Sequence, residues 1–476
     1  MTSRLHIPED SFLPGGDPDG RLFVHEGCLC RGIHSPHSAF YRDLLDGWKC
    51  AALVKAGLVS TDRADFSVEG FDVVARHEFV RPESFPFEWS GRTLKDAALF
   101  LCEFARKAAA WGIGLKDAHG YNILFDYSRR PQFIDFCSLV PLTATGGAIH
   151  KEFNRYFLNP LYLMQAGRFA QARHLINLGG YETGSKRGGI DDEEVVPHLD
   201  SRTRAEYVAA RRHEGAMRKH RRFYDLIHFY EREIRRINPQ PAESCWSTYY
   251  TVSEKYPTNV RFESFDPHHS WQPKQRFVHQ LMTNSEAGTV LDVGCAAGWF
   301  SQVAAMHGHE VMALDCDEAA IARLDDLSRA RGFPILPLFC DFAKMRSLYP
   351  LKGHKHIGRF AADIVLVCAV LHHLVFRAAM SFEAIVETLA MLTKKVLVLE
   401  FLADTDESII AMRKERSVPW YSADLLHRAL ESHFDSIEIV PSTEGMERFL
   451  FVCRRPRRAS AGATTARTEA CHAVTA

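Results

Sequence analysis

The sequence predicts an α/β protein in two parts, a doubly wound, largely parallel sheet in the C-terminal half preceded by an α+β half. Three observations carry this expectation. A chain of 476 residues is too long for one ordinary core. The run Asn238-Pro239-Gln240-Pro241 breaks a helical pattern and divides the chain. Beyond Glu286, short solid apolar runs alternate with helix-period segments, as in a parallel sheet covered on both faces.

Each element follows from its pattern. Strands are predicted over 289–293, 310–314, 335–339, 363–368 and 395–401. Helices over 298–307, 318–331 and 382–392 lie between them, and late β segments over 436–440 and 449–453 close the domain. Upstream, 39–56 and 93–111 read as helices, with a strand pair around 123–125 and 132–134. The charged stretch 202–237 has helical spacing, with an apolar stripe that includes Tyr207, Leu226, Ile227, Phe229, Tyr230 and Ile234. The polar, glycine-bearing stretch 179–201 reads as an exposed loop, and 455–476 reads as a disordered tail. The expected layout is a first domain over 1–178, a helical connector over 179–245, a second domain over 246–454 and the tail over 455–476.

Composition restricts the function classes. A 46% hydrophobic and 25% charged chain is that of a soluble globular protein. A formal charge of -1 gives no general pull toward nucleic acid or an acidic membrane. The basic stretch Arg211, Arg212, Arg218, Lys219, Arg221 and Arg222 is interleaved with Glu214 and Asp225, as on a solvated helix face. There is no apolar run of about 18 residues to span a membrane and no apolar signal core at the start, so a cytoplasmic location is expected. The 12 cysteines form no Cys-x-x-Cys pair, and reduced core thiols fit Cys102, Cys340, Cys368 and Cys453. No metal ion is expected, and oligomeric state is not written in the sequence.

The chemistry collects at the carboxyl ends of the predicted parallel strands, where ligands bind in such sheets. The first strand runs into Leu291-Asp292-Val293-Gly294-Cys295-Ala296-Ala297-Gly298-Trp299-Phe300. Gly294 and Gly298 permit a tight turn and close approach to a ligand, and the following helix N-terminus offers free N–H groups. A dinucleotide site prefers G-x-G-x-x-G, and Cys295-Ala296 break that fingerprint. Asp292 beside the turn opposes a pyrophosphate and suits a cationic ligand. Asp315, ending the second strand, is placed to accept ribose hydroxyls. At the third strand end, Asp341 suits an adenine amino group and Phe342 its ring.

The segments VLDVGCAAGWFS, VMALDCDEAAI, LFCDF and ADIVLVCAVLHHL occur in family order and resemble class I S-adenosylmethionine-dependent methyltransferases over roughly 288–454. The resemblance implies a Rossmann-like sheet that binds S-adenosylmethionine. Asp292 and Gly294 then line its methionine part, and Cys295, Ala296 and Gly298 complete the turn. Asp315 holds the ribose, Asp341 and Phe342 the adenine, and Cys368 lies beside the sulfonium. His372 or His373 is a general-base candidate for an acceptor hydroxyl. Packing at a helix start is the competing reading of that pair. Glu400 is a further pocket candidate, or else pairs locally. Methyl transfer is an in-line displacement that positioning accelerates, so no obligatory catalytic residue follows. No Asn-Pro-Pro-Tyr follows the fourth strand, which points away from adenine or glutamine acceptors and toward small molecules.

The N-terminal half carries a second constellation. Leu115-Lys116-Asp117-Ala118-His119-Gly120-Tyr121-Asn122-Ile123-Leu124-Phe125, followed by Phe133-Ile134-Asp135-Phe136, resembles the catalytic loop and metal-binding Asp of the protein-kinase-like fold. The resemblance implies Asp117 as proton acceptor, with Asn122 and Asp135 ligating magnesium of Mg-ATP. The glycine-rich loop and Val-Ala-Ile-Lys strand are missing, Cys137 replaces glycine after Phe136, and Lys49 and Lys55 lie in a predicted helix. A degenerate, kinase-like module that docks a substrate or partner is the intermediate reading.

A kinase-like half fused to a methyltransferase half resembles a bacterial family that includes a rhizobial host-specific nodulation protein. That resemblance implies methylation of a glycan or other small metabolite in symbiotic signalling. Three functions stay open at this point. They are a small-molecule methyltransferase, a bifunctional methyltransferase and ATP-dependent phosphotransferase, and a non-catalytic adenosylmethionine-binding protein.

Overall fold

The computed structural model describes residues 4–13, 17–34, 36–144, 149–179, 198–218, 223–252, 271–349, 356–445 and 447–456. Most of the loop expected over 179–201 and nearly all of the expected tail lie outside these residues, as do Lys219, Arg221 and Arg222 of the basic stretch. The chain divides into two compact units. The first takes the residues up to Asp126 and from Arg130 to Ala242, and the second takes Tyr127–Arg129 and the chain from Glu243.

In the first unit, β1 (Gly20–His25) and β2 (Cys28–Ile33) form an antiparallel hairpin. Its turn residues Glu26 (φ 48) and Gly27 (φ 75) take the left-handed conformation that matches the twist of paired strands. With β3 (Thr61–Arg63) and β4 (Val73–His77) they make a sheet of order β1-β2-β4-β3, whose core holds Phe23, Cys30, Phe71 and Val74. The sequence reading did not anticipate this sheet, because its strands are short and carry arginine and histidine among the apolar residues. The helix expected over 39–56 is two helices, Ser38–Asp46 and Trp48–Ala56, parted by an extended Gly47 (φ -100, ψ 166). The helix Gly91–Ala110 starts where the Ser90 hydroxyl accepts the Thr93 N–H at 3.0 Å.

After that helix come β5 (Ile113–Leu115), β6 (Ile123–Phe125), β7 (Pro131–Phe133) and β8 (Leu139–Pro141), paired β5 with β8 and β6 with β7. Phe104 of the helix stacks on Phe133 with ring centroids 4.8 Å apart. The helices Ser201–Arg218 and Phe223–Arg236, read as a connector, group with this unit. Their apolar stripe explains why. Leu226, Ile227, Phe229, Tyr230 and Ile234 are all buried, and Tyr230 packs on Phe153 at 4.6 Å.

The second unit is built on seven strands: β9 (Thr289–Val293), β10 (Glu310–Asp315), β11 (Ile335–Phe339), β12 (Ala362–Val367), β13 (Thr393–Leu402), β14 (Phe434–Pro441) and β15 (Arg448–Pro456). They lie in the order β11-β10-β9-β12-β13-β15-β14. The first five run parallel, and β15 is antiparallel to both β13 and β14. This is a Rossmann-like mixed sheet. Strand order reverses between β9 and β12, so their carboxyl ends open the crevice in which such sheets hold ligands. Val290, Val311, Leu366 and Val398 from adjacent strands fill the core with Val303 and Leu324 from flanking helices. Asp317 and Ser381 cap the helices Glu318–Arg331 and Phe382–Leu392 by accepting the N–H groups of Ala320 and Ala384.

Candidate active site

The turn after β9 brings bare backbone to the crevice. Gly294 takes φ +69 and its N–H donates to Leu314 O at 2.8 Å, fastening the turn to β10. A Cβ at Gly294 would stand 2.3 Å from Val370 Cγ2, and one at Gly298 (φ +75) would stand 2.3 Å from Leu324 Cδ1. Both positions therefore need glycine for conformation and for space. Ala296 also has positive φ (47).

Asp315 ends β10. Its Oδ2 accepts the Ala296 N–H at 2.8 Å and its Oδ1 the Asp317 N–H at 2.9 Å. Burial pushes this carboxyl up to about 6, against the pull of those amides. Past β11, Asp341 Oδ1 accepts the Ala343 N–H at 3.1 Å and Oδ2 pairs with Lys344 at 3.0 Å. Phe342 is buried beside it.

A cavity of about 800 Å³ joins these ends. Of the residues predicted for the site, Gly294, Ala296, Asp315, Asp341, Cys368, His372 and His373 line it. Asp292, Cys295, Gly298 and Phe342 stand behind the lining. Asp292 is 2% exposed, and its carboxylate accepts the Ser301 hydroxyl at 2.6 Å. Burial pushes Asp292 up to about 7, so this group is no permanently fixed anion. Glu400 lies away from the lining in a buried pair, 3.0 Å from Lys274 Nζ and hydrogen-bonded by the Ser442 hydroxyl. Burial raises the Glu400 carboxyl, but Lys274 and Ser442 outweigh it and hold it below its usual range.

The histidine pair lies past β12, ring centroids 4.2 Å apart. His372 is buried, its Nδ1 has no partner among the described residues, and burial holds it well below its ordinary titration range. Burial, with Arg377 adding to it, lowers His373 to about 4. His373 meets Trp246 edge-on at 5.4 Å. Both imidazoles are thus neutral near pH 7.

Several cavity residues were missed by the sequence reading. Trp246, Tyr249 and Tyr250 form one wall, and Arg377, Ser408, Met412, Glu415 and Arg448 contribute elsewhere. The aromatic density of Trp246-Ser247-Thr248-Tyr249-Tyr250 was a usable signal. Arg448 was not, because only folding brings it to Asp406, with hydrogen bonds of 2.7 and 3.3 Å.

In the first unit, Asn122 and Asp135 lie at neighbouring strand ends, where the Ile134 N–H donates to Asn122 O at 2.9 Å. Both amide atoms of Asn122 are buried without a hydrogen-bond partner among the described residues. Asp135 faces Arg31 at 3.4 Å, and Arg31 also bonds Asp17 at 3.0 Å. Burial pushes Asp135 up to about 6 despite Arg31. The Asp117 backbone N–H donates to the Ser138 hydroxyl oxygen at 3.2 Å. Among the described residues, no group of three or more His, Cys, Asp or Glu is placed to hold a metal ion.

Residues 291–395, which begin within β9, run through β12 and enter β13, match the methyltransferase-domain family. The second unit carries a methyltransferase domain. The chain is 26% identical over 360 residues to nodulation protein NoeA of Rhizobium meliloti strain 1021, covering 71% of this chain and 72% of that protein. Among solved structures, the chain is similar to the N-methyltransferase NodS of Bradyrhizobium japonicum WM9 in complex with S-adenosyl-L-homocysteine. That match has 17% identity and a TM-score of 0.31, covering 44% of this chain and 97% of NodS. A second is magnesium protoporphyrin IX methyltransferase of Synechocystis PCC 6803 with bound S-adenosylhomocysteine, at 19% identity and a TM-score of 0.28, covering 38% of this chain and 83% of that one. Among the described residues, no helix is long and apolar enough to cross a membrane.

Proposed function

We propose that the methyltransferase unit transfers a methyl group from S-adenosylmethionine to a small-molecule or glycan acceptor. One observation carries this reading: two carboxylates anchored by backbone amides, Asp315 and Asp341, share a cavity with the bare turn at Gly294. Those residues fit an adenosyl group. With each Asp315 oxygen holding one amide, lone pairs are left to accept two ribose hydroxyls. Asp341 offers an acceptor to an adenine amino group, with Phe342 packed behind it. Gly294, Ala296 and Cys368 border the methionine end. Asp292 supports the turn through Ser301 and adds negative charge behind a sulfonium to the extent that it is ionised.

Bound S-adenosylmethionine supplies a methyl carbon already activated by its sulfonium. The protein's part is to orient the acceptor, exclude water and accept a proton. Neutral His373 is suited to accept that proton as the acceptor atom bonds to carbon. His372, more deeply buried, is better suited to holding the ring of His373 in place. For the first unit we propose a kinase-like module that docks an acceptor or partner. The Arg31–Asp135 contact weighs against a magnesium–nucleotide complex there. The likeness to a nodulation protein supports a role in symbiotic signalling.

Calorimetry of the full chain with S-adenosylmethionine and S-adenosylhomocysteine tests the donor, and transfer of labelled methyl into extract of the source organism tests the enzyme. Failure to bind either adenosyl compound removes the proposal. Binding without transfer into any fraction leaves a non-catalytic binding protein in its place.

A further inference from the structure

Besides Asp315 and Asp341, the cavity lining carries a second charge pattern. Most cations around the methyltransferase site already have a carboxylate: Lys274 has Glu400, Arg448 has Asp406, and Lys344 has Asp341. Arg377 is the exception. It lines the cavity, is exposed, and has no ion-pair or hydrogen-bond partner for its guanidinium among the described residues. It lies close enough to His373 to lower that ring's affinity for a proton. Its position just past the helix Leu371–Phe376 favours a cation, but that accounts for the charge and not for its facing the cavity.

Glu415 is likewise exposed, cavity-lining and unpaired among the described residues. It ends the helix Glu407–Glu415, where an acidic side chain opposes the helix dipole. Helix stability therefore gives no reason for an acid there. The third feature is the aromatic wall, with Trp246 perpendicular to His373 and Tyr249 packed on Trp246 at 5.6 Å. Aromatic faces hold rings, and a guanidinium holds planar or tetrahedral oxyanions in pairs of hydrogen bonds.

We infer that the acceptor is a ring-bearing anion. Its ring lies on the Trp246 wall, its anionic group binds Arg377, and a hydroxyl or amine hydrogen on the same molecule is donated to Glu415. This rests on the methyltransferase reading above and narrows the class of acceptor within it.

The test uses the full chain saturated with S-adenosylhomocysteine. Glucuronate, glucose 6-phosphate and glucose 6-sulfate are titrated calorimetrically beside neutral glucose, which separates carboxylate, phosphate and sulfate as the source of the charge. At least one anionic sugar is expected to bind about tenfold or more tighter than glucose. Arg377→Met should abolish that preference while leaving S-adenosylhomocysteine affinity unchanged, and Trp246→Ala should weaken the anionic sugar. Equal binding of glucose, no binding of any anionic sugar, or a preference that survives Arg377→Met overturns the inference. Loss of S-adenosylhomocysteine binding by the wild-type chain instead overturns the reading on which it rests.

Discussion

Replacing Asp315 by Asn probes the ribose assignment, and its size follows from the geometry. The carboxylate accepts amide hydrogens from Ala296 at 2.8 Å and Asp317 at 2.9 Å, one on each oxygen. Asparagine keeps one acceptor oxygen and turns an NH2 group toward the other amide. Either orientation sets donor against donor and leaves one ribose hydroxyl without its acceptor. A hydrogen bond to a charged group is worth about 1.5–3 kcal/mol, which corresponds to a roughly ten- to hundredfold rise in Kd. Calorimetric titration with S-adenosylhomocysteine reads that change. The pH profile gives an independent arm. With the carboxyl pushed up to about 6, wild-type affinity should fall by about that same ten- to hundredfold as pH drops below that point, and Asp315→Asn should be flat there. Apo stability moves the other way. A carboxyl whose pKa is raised by folding favours the folded state when protonated, so its contribution is complete below about 4 and is lost as pH rises through about 6. Asp292, raised to about 7, adds in the same sense. A variant that binds within threefold of wild type, with the wild-type pH profile, refutes the assignment.

Three further outcomes are expected. Lys274→Met strands a buried Glu400 and should cost about 3–5 kcal/mol in urea unfolding, whereas Lys274→Met with Glu400→Leu should recover much of it; a single variant as stable as wild type would sink the view that this pair is needed for the fold. Gly294→Ala meets both positive φ and Val370, so it should weaken S-adenosylhomocysteine binding, while Gly332→Ala (φ +65, with nothing within 4 Å of the added carbon) should cost about 1 kcal/mol of stability and leave binding intact. His373→Gln should slow labelled methyl transfer by about a hundredfold, and the wild-type rate should stay level from pH 8 down to 6 and fall as His373 becomes protonated near 4; an unchanged rate would assign the histidine pair to packing.

The parts of the methyltransferase unit that could be read from sequence are those whose physics is local. A parallel strand buried on both faces must be a solid apolar run, so β9 through β12 stand out, and the residue after each run lies at the crevice by topology alone. That is why Asp315 and Asp341 could be placed at the crevice from sequence. The orientation of Asp292 could not, because its carboxylate answers to Ser301, nine residues further on and in the first turn of the next helix. Lys274 and Glu400 are 126 residues apart, and nothing in either neighbourhood marks the other as its partner. The first unit's β1–β4 sheet escaped for a different reason: three- to six-residue antiparallel strands give too few periods to separate from loops. The acceptor side of the cavity combines both difficulties. Trp246 comes from a segment before the sheet, Arg377 from the end of a short helix, and Glu415 from the end of another, so no window of sequence contains the set. None of the three is needed to build the sheet or to anchor Asp315. On the proposed reading, substitutions among them change which acceptor is held while the donor end and the fold stay as they are, because folds of this kind set specificity by added segments and loops.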